Sequence, residues 1–162
     1  WASSFASEHV TAQLTEQQIF FPDGDKVPVA DKDGFTAEDA SAIAQYAGQQ
    51  LTTGDQAYAY AEHYIKVHMA GIGGGKTYGQ ISGEYMAALA TNPTAPETAA
   101  LGQKRMTLFM GDTLRGLLLN AYAFGTIAKI AIYAAYAAFA GAVLLLVLAV
   151  FGFRHAKKLA AE

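Results

Sequence analysis

The sequence predicts an all-α membrane protein, an extracytoplasmic helical domain whose long C-terminal helix continues into a transmembrane span. Three observations predict it. From Ile130 to Phe153, 24 consecutive residues carry no charge. As a helix they would extend roughly 36 Å at about 1.5 Å per residue, enough to cross a hydrocarbon core of about 30 Å with some tilt. Arg154, His155, Lys157 and Lys158 follow at once, and the bias of positive residues towards the inner side of a membrane places that end in the cytoplasm. The rest of the chain has the opposite character. Residues 1–103 hold twelve acids and four bases, a net of −8, whereas residues 104–162 hold two acids and seven bases, a net of +5. The overall charge of −3 describes neither part.

The chain opens on Trp1. Tryptophan is enriched at membrane interfaces, so residues 1–19 read as a helix leaving the bilayer after a further span upstream; a terminus left by signal-peptide removal is the alternative. Pro22 and Gly24 break that helix, one by fixing φ and the other by permitting positive φ, and residues 20–35 read as an extended, acidic loop. Residues 36–115 read as the extracytoplasmic helical domain. Thr36-Ala-Glu-Asp39 caps its first helix, since the hydroxyl accepts an orphan N–H and the acids favour the positive end of the dipole. Ala40, Ile43, Ala44, Ala47 and Leu51 share one face of it, and it should end near Gly54. A second helix opens at Asp55 and carries Ala57, Ala61, Tyr64, Ile65 and His68 at spacings of three and four. The glycines of Gly71-Ile-Gly-Gly-Gly75 stop it. Thr77-Tyr-Gly-Gln80 has capping-box form and starts a third helix. Asn92-Pro93 interrupts, and Pro96-Glu97 opens a helix with no further proline.

That last helix divides in two. Residues 116–129 lie above the expected bilayer yet are nearly all apolar, and such a surface needs cover. Leu117, Leu118, Leu119, Tyr122 and Phe124 are therefore expected at an interface with the preceding helices, an emerging N-terminal helix or another subunit. Residues 130–153 form the span, with Tyr133 and Tyr136 at the outer interface and Lys129 snorkelling towards it. Ala134, Ala138 and Ala142 recur every fourth residue beside Gly141, a small-residue face against which another helix backbone can pack. Residues 154–162 are the basic cytoplasmic tail.

Several chemistries are excluded or disfavoured. The absence of cysteine removes disulfides, thiolate nucleophiles and cysteine-based metal sites. Bases are too sparse for a nucleic-acid surface. Ala70-Gly-Ile-Gly-Gly-Gly75-Lys76-Thr77 fits a relaxed phosphate-loop pattern, but an amphipathic helix precedes it where a buried strand is required, so no nucleotide partner is expected. His63 and His68 are weak metal candidates, because five residues place them about 140° apart on an α-helix. Asp23, Asp25, Asp31 and Asp33 lack the ligand order of a calcium loop. Asp112 and Arg115 read as a pair on one helix. No catalytic constellation and no cofactor are expected.

Gln45-Tyr-Ala-Gly-Gln-Gln50, Gly74-Gly-Lys-Thr-Tyr78 and Thr113-Leu-Arg-Gly-Leu-Leu-Leu-Asn-Ala-Tyr122 resemble a family of small actinobacterial membrane proteins, and the resemblance runs from Trp1 to His155. It implies two transmembrane helices around an extracytoplasmic helical insert, hence a span just before Trp1. Members are often labelled as an aromatic ring-opening dioxygenase subunit, a label for which these residues supply no iron constellation. The expectation is a non-enzymatic accessory or structural subunit in the plasma membrane. It would sit in membrane lipid and pack on another membrane subunit or on itself. The rival is an anchored module binding a small ligand or metal through Tyr58, Tyr60, His63, Tyr64 and His68; a dioxygenase-associated subunit comes third.

Overall fold

Among the residues described by the computed structural model, 2–161 (with side chains from Phe5), all regular structure is helical. Trp1, expected at the membrane interface, lies outside them. The elements are α1 (Ala2–Glu16), α2 (Ala37–Ala44), α3 (Gly54–Tyr60), a π-helical turn (Ala61–Ile65), α4 (Lys66–Gly73), α5 (Tyr78–Thr91) and α6 (Pro96–Leu159). A single 3₁₀ turn, Gly24–Lys26, interrupts the loop between α1 and α2.

α6 is the axis of the molecule. Pro96 supplies the fixed φ of the first turn, Glu97 sits at the positive end of the dipole, and 64 residues follow without a break. At about 1.5 Å per residue the helix is roughly 96 Å long. α1, α3, the π turn, α4 and α5 all pack on its outer part. α1 runs antiparallel to it: Gln13, Leu14 and Gln17 lie beside Leu114 and Leu117, whereas Ser7 and Thr11 lie beside Gly125, Lys129 and Ile132. From Tyr133 to Ala161 every residue is exposed. This bare half is long and apolar enough to cross a membrane, and none of its most apolar stretch is buried in the fold.

The core lies where α1, α2 and the α3–π–α4 run meet α6, around Leu14, Phe21, Ile43, Leu51, Ile65 and Leu118. Ile43 and Leu51 are fully buried, each stabilising the fold by about 1.5–3 kcal/mol relative to exposure. Small residues bring the backbones close. Gly54 opens α3 directly against α6, where an added Cβ would meet the Ala121 carbonyl oxygen and the Tyr122 Cα, both at 3.3 Å. Gly111 likewise leaves room for the Met69 thioether.

Three threonines start three helices in the same way. Thr36, Thr53 and Thr77 each accept the N–H of the third helical residue, and that residue, Asp39, Gln56 or Gln80, returns a bond to the threonine N–H. The box at Thr77 and the cap at Thr36 are the expected ones; the structure completes a box at Thr36 and adds a third at Thr53. The helix from Thr36 is shorter than its periodicity predicts, however, and stops at Ala44 rather than near Gly54. Gly48 adopts φ +69°, and the segment after it pairs with the extended chain that follows α1 instead: Phe21 N–H donates to Gln49 O at 2.9 Å and Leu51 N–H to Ile19 O at 2.8 Å. Leu51 still reaches the core, but from extended chain. The acidic loop is pinned by Phe21 and Phe35, both buried.

Candidate functional site

Polar groups gather where the π turn faces α2 and α6. The π turn widens the helix at Ala61–Ile65, a local irregularity of the kind that often re-aims side chains. Here it turns His63 towards α2 and Glu62 towards α6. His63 Nδ1 lies 2.8 Å from Asp39 Oδ1, while Asp39 Oδ2 accepts from the Thr36 hydroxyl at 2.6 Å and the Thr36 N–H at 3.1 Å. Burial pushes the Asp39 carboxyl up, but the bonds from Thr36 and His63 outweigh it and hold its pKa below the ordinary 3.8. Glu62 accepts from Arg115 through Oε1 and from Lys66 at 2.8 Å through Oε2. Burial raises its pKa as well, and the two cations bring it below 4.5.

Arg115 pairs not with Asp112, one turn away on α6, but with Glu62, 53 positions away in sequence. His63 and His68 do not converge. His68 donates from Nδ1 to the Tyr64 carbonyl oxygen at 2.9 Å, and its ring meets that of Tyr64 at a tilt and that of Phe35 edge-on. Tyr60 and Tyr64 are part of the same internal ring ladder, their centroids 4.9 Å apart. Burial, helped by Tyr64, pushes the Tyr60 hydroxyl up to about 12. Among the described residues no group of three or more His, Asp or Glu side chains is placed to hold a metal ion. The carboxylates of the acidic loop do not gather either; Asp23 caps the 3₁₀ turn through Gly24 N–H.

The glycine-rich stretch ends α4 with Gly74 and Gly75 at positive φ. Thr77 is committed to the cap of α5, and Lys76 Nζ donates to Glu84 Oε1 at 2.6 Å. A helix precedes this loop, as the sequence indicates.

The apolar segment of α6 shows which surface the fold leaves open. Leu118, on the face towards α1 and α3, is 2% exposed. Leu119 packs against the same core, and Tyr122 stacks on Tyr58 at 4.7 Å between centroids. These three expected interface residues are therefore covered by the chain's own helices, Leu118 wholly and Leu119 and Tyr122 in part. Leu117 and Phe124 are not: they are 62% and 58% exposed. Phe109, Met110 and Ile127 are exposed alongside them. Beside this face a cleft of about 320 Å³ opens between α1 and α6, lined by Gln13, Leu14, Leu117, Asn120 and Phe124. Lys129, expected to snorkel, instead donates to Asp55 Oδ2 at 2.5 Å, tying α3 to α6 just above the charge-free stretch. Ala134, Ala138, Gly141 and Ala142 all lie on the bare half and are exposed.

Compared with known proteins, the chain matches no family model, no curated protein and no solved structure.

Proposed function

We propose that this protein is a non-enzymatic structural or accessory subunit of a membrane protein assembly. On this reading α6 crosses the plasma membrane from Ile130 to Phe153, the helical domain faces the extracytoplasmic side and the basic tail faces the cytoplasm. The observation that carries the reading is the open face of α6 above the span. A helix surrounded by lipid has reason to be apolar all round. Leu117 and Phe124 lie beyond that stretch, on a part of α6 whose other faces are packed against a charged, water-facing domain. Large apolar side chains left uncovered there mark a surface that meets another protein.

The polar cluster supports the same reading from the other side. Asp39, Glu62, His63 and Arg115 are engaged with one another and fix α2, the π turn and α6 in place, as structural groups do. A helical insert followed by a span is also what a likeness to actinobacterial two-span proteins would require of this part of the chain, and the positive tail supports the orientation.

Single cysteines introduced into this cysteine-free chain test the proposal. In native membranes, Leu117→Cys and Phe124→Cys should resist a membrane-impermeant maleimide, whereas Ser41→Cys on α2 should label fully. Equal labelling at all three would remove the assembly role. Ser41→Cys protected in intact cells but labelled in inverted vesicles would reverse the orientation.

A further inference from the structure

The open face of α6 has a spacing of its own. Met110, Leu117 and Phe124 recur every seventh residue, and so do Met106, Thr113, Asn120 and Ile127 between them. Together they step by four and three along one side of the helix, and every one is exposed. The same steps continue into the bare half through Ala131, Ala134, Ala138 and Gly141, also exposed. This is the heptad rhythm of a helix that packs in a left-handed pair. On a straight α-helix the stripe drifts by about 20° per heptad, which supercoiling of two helices removes.

We infer that the occupant of this face is a second copy of the same chain, lying parallel, with α6 packed against α6 along this seam and Asn120 opposite Asn120. The inference rests on the assembly role proposed above and names the partner. Three observations select a second copy. First, no seam position carries a charge, and neither do the flanking positions Phe109, Leu114, Gly116, Ala121, Ala123 and Ala128. Along α6 two identical faces can therefore meet without like-charge repulsion, with Glu16 of α1 a carboxylate across the cleft at the edge of the seam, whereas the flanking charges on the helix itself that choose a different partner in coiled coils are missing. Second, the area suffices. Met106, Phe109, Met110, Leu117, Phe124 and Ile127 are each more than half exposed. At on the order of 200 Å² for a large side chain they offer about 600 Å² per copy. Two copies reach about 1,200 Å², the lower bound of a stable interface, before the span contributes. Third, copies inserted in one membrane with one orientation are necessarily parallel, which brings Asn120 onto its own twin. A single buried asparagine whose amide is satisfied only by its counterpart fixes register. The cleft beside Leu117 and Phe124 leaves room for the corresponding side chains of the second copy.

Disulfide cross-linking of the full chain in native membranes tests this. Single cysteines at Thr113, Leu117, Asn120 and Phe124 on the seam, and at Asp112 and Thr126 off it, would be oxidised with copper phenanthroline and run on non-reducing gels. Dimer bands at the seam positions at least fivefold stronger than at Asp112 and Thr126 are expected, because a disulfide requires Cβ atoms about 4 Å apart. Equal bands at seam and off-seam positions would overturn the inference. Seam cysteines that resist maleimide yet form no dimer would also overturn it while leaving the assembly role intact. Seam cysteines that label freely would remove both.

Discussion

The two halves of α6 are one helix in two settings. From Pro96 to Lys129 it is wrapped by four other helices and carries Glu97, Lys104, Arg105, Asp112, Arg115 and Lys129. From Ile130 to Phe153 it is uncharged, and from Tyr133 onward it is bare. The backbone needs no change at the boundary, because a helix satisfies its own N–H and C=O groups wherever it lies. What changes is the cover. In the outer half, side chains are sorted by face, buried towards α1 and α3 and open on the heptad side. In the inner half, lipid would supply the surroundings on every face not taken by a partner. The contrast shows that the open outer face is the part of α6 in need of explanation, since there a run of large apolar side chains stands beside charged domain.

The contrast is sharpest between two neighbours. Leu118→Ala removes a side chain from the core and should destabilise the outer domain by about 2–5 kcal/mol. Leu117→Ala removes one from the open face and should leave the stability of the domain, dispersed in detergent as a single copy, within about 0.5 kcal/mol. Thermal unfolding of both purified variants measures the difference. Equal losses would mean that Leu117 is buried by the chain itself and that the outer half has no open face.

A charge placed in the inner half should act on insertion instead of folding. Leu144→Asp puts a carboxylate near the middle of the expected span, at a cost of about 2.5–3.5 kcal/mol. The variant should lose much of its carbonate-resistant membrane fraction, while Leu117→Asp, outside the charge-free stretch, should keep it. If Leu144→Asp stays fully inserted, the bare half is not held in lipid as a simple span.

The outer half should also respond to acid, where the inner half cannot. Asp39 and Glu62 both titrate below their ordinary values in the folded domain. Their contribution is therefore complete above the unfolded pKa values, near 4, and is lost as the pH falls through the lower folded ones. The unfolding temperature of the outer domain should be flat from neutral pH to about 5 and fall below it. Asp39→Asn should lower it at neutral pH and make the fall shallower, since the bonds from Thr36 and His63 no longer depend on an ionised carboxylate. A decline in the variant as steep as in the parent would assign the acid response elsewhere.

Local chemistry was legible in the sequence where it acts over three or four residues. Thr36 and Thr77 announce their caps, and the run after Ile130 announces a long apolar helix. What stayed hidden depends on distant chain. Nothing near Gly48 reveals that Gln49 and Leu51 pair with Phe21 and Ile19, so the pattern of Ala44, Ala47 and Leu51 reads as helix. The π turn has no local signature. Glu62 and Arg115 are each visible as unusual residues, but their pairing requires α6 to lie beside the π turn. Three consecutive leucines, 117 to 119, are equivalent by composition; only the positions of α1 and α3 decide that Leu118 and Leu119 are covered and Leu117 is open.

The smallest expected effect falls at the boundary itself. Lys129 and Asp55 form the last ion pair before the charge-free stretch, and each side chain is about half exposed. Water and salt screen such a pair, so it should contribute no more than about 1 kcal/mol. Asp55 also sits in the first turn of α3, where a negative charge favours the helix dipole. Asp55→Asn removes both effects, and Lys129→Gln removes only the pair. Unfolding of the two variants at low and high salt separates them: Lys129→Gln should converge on the parent as salt rises, and Asp55→Asn should keep a small residual loss. A salt-independent loss in Lys129→Gln would show that the lysine is desolvated, and that the boundary between the two halves of α6 lies further out than Ile130.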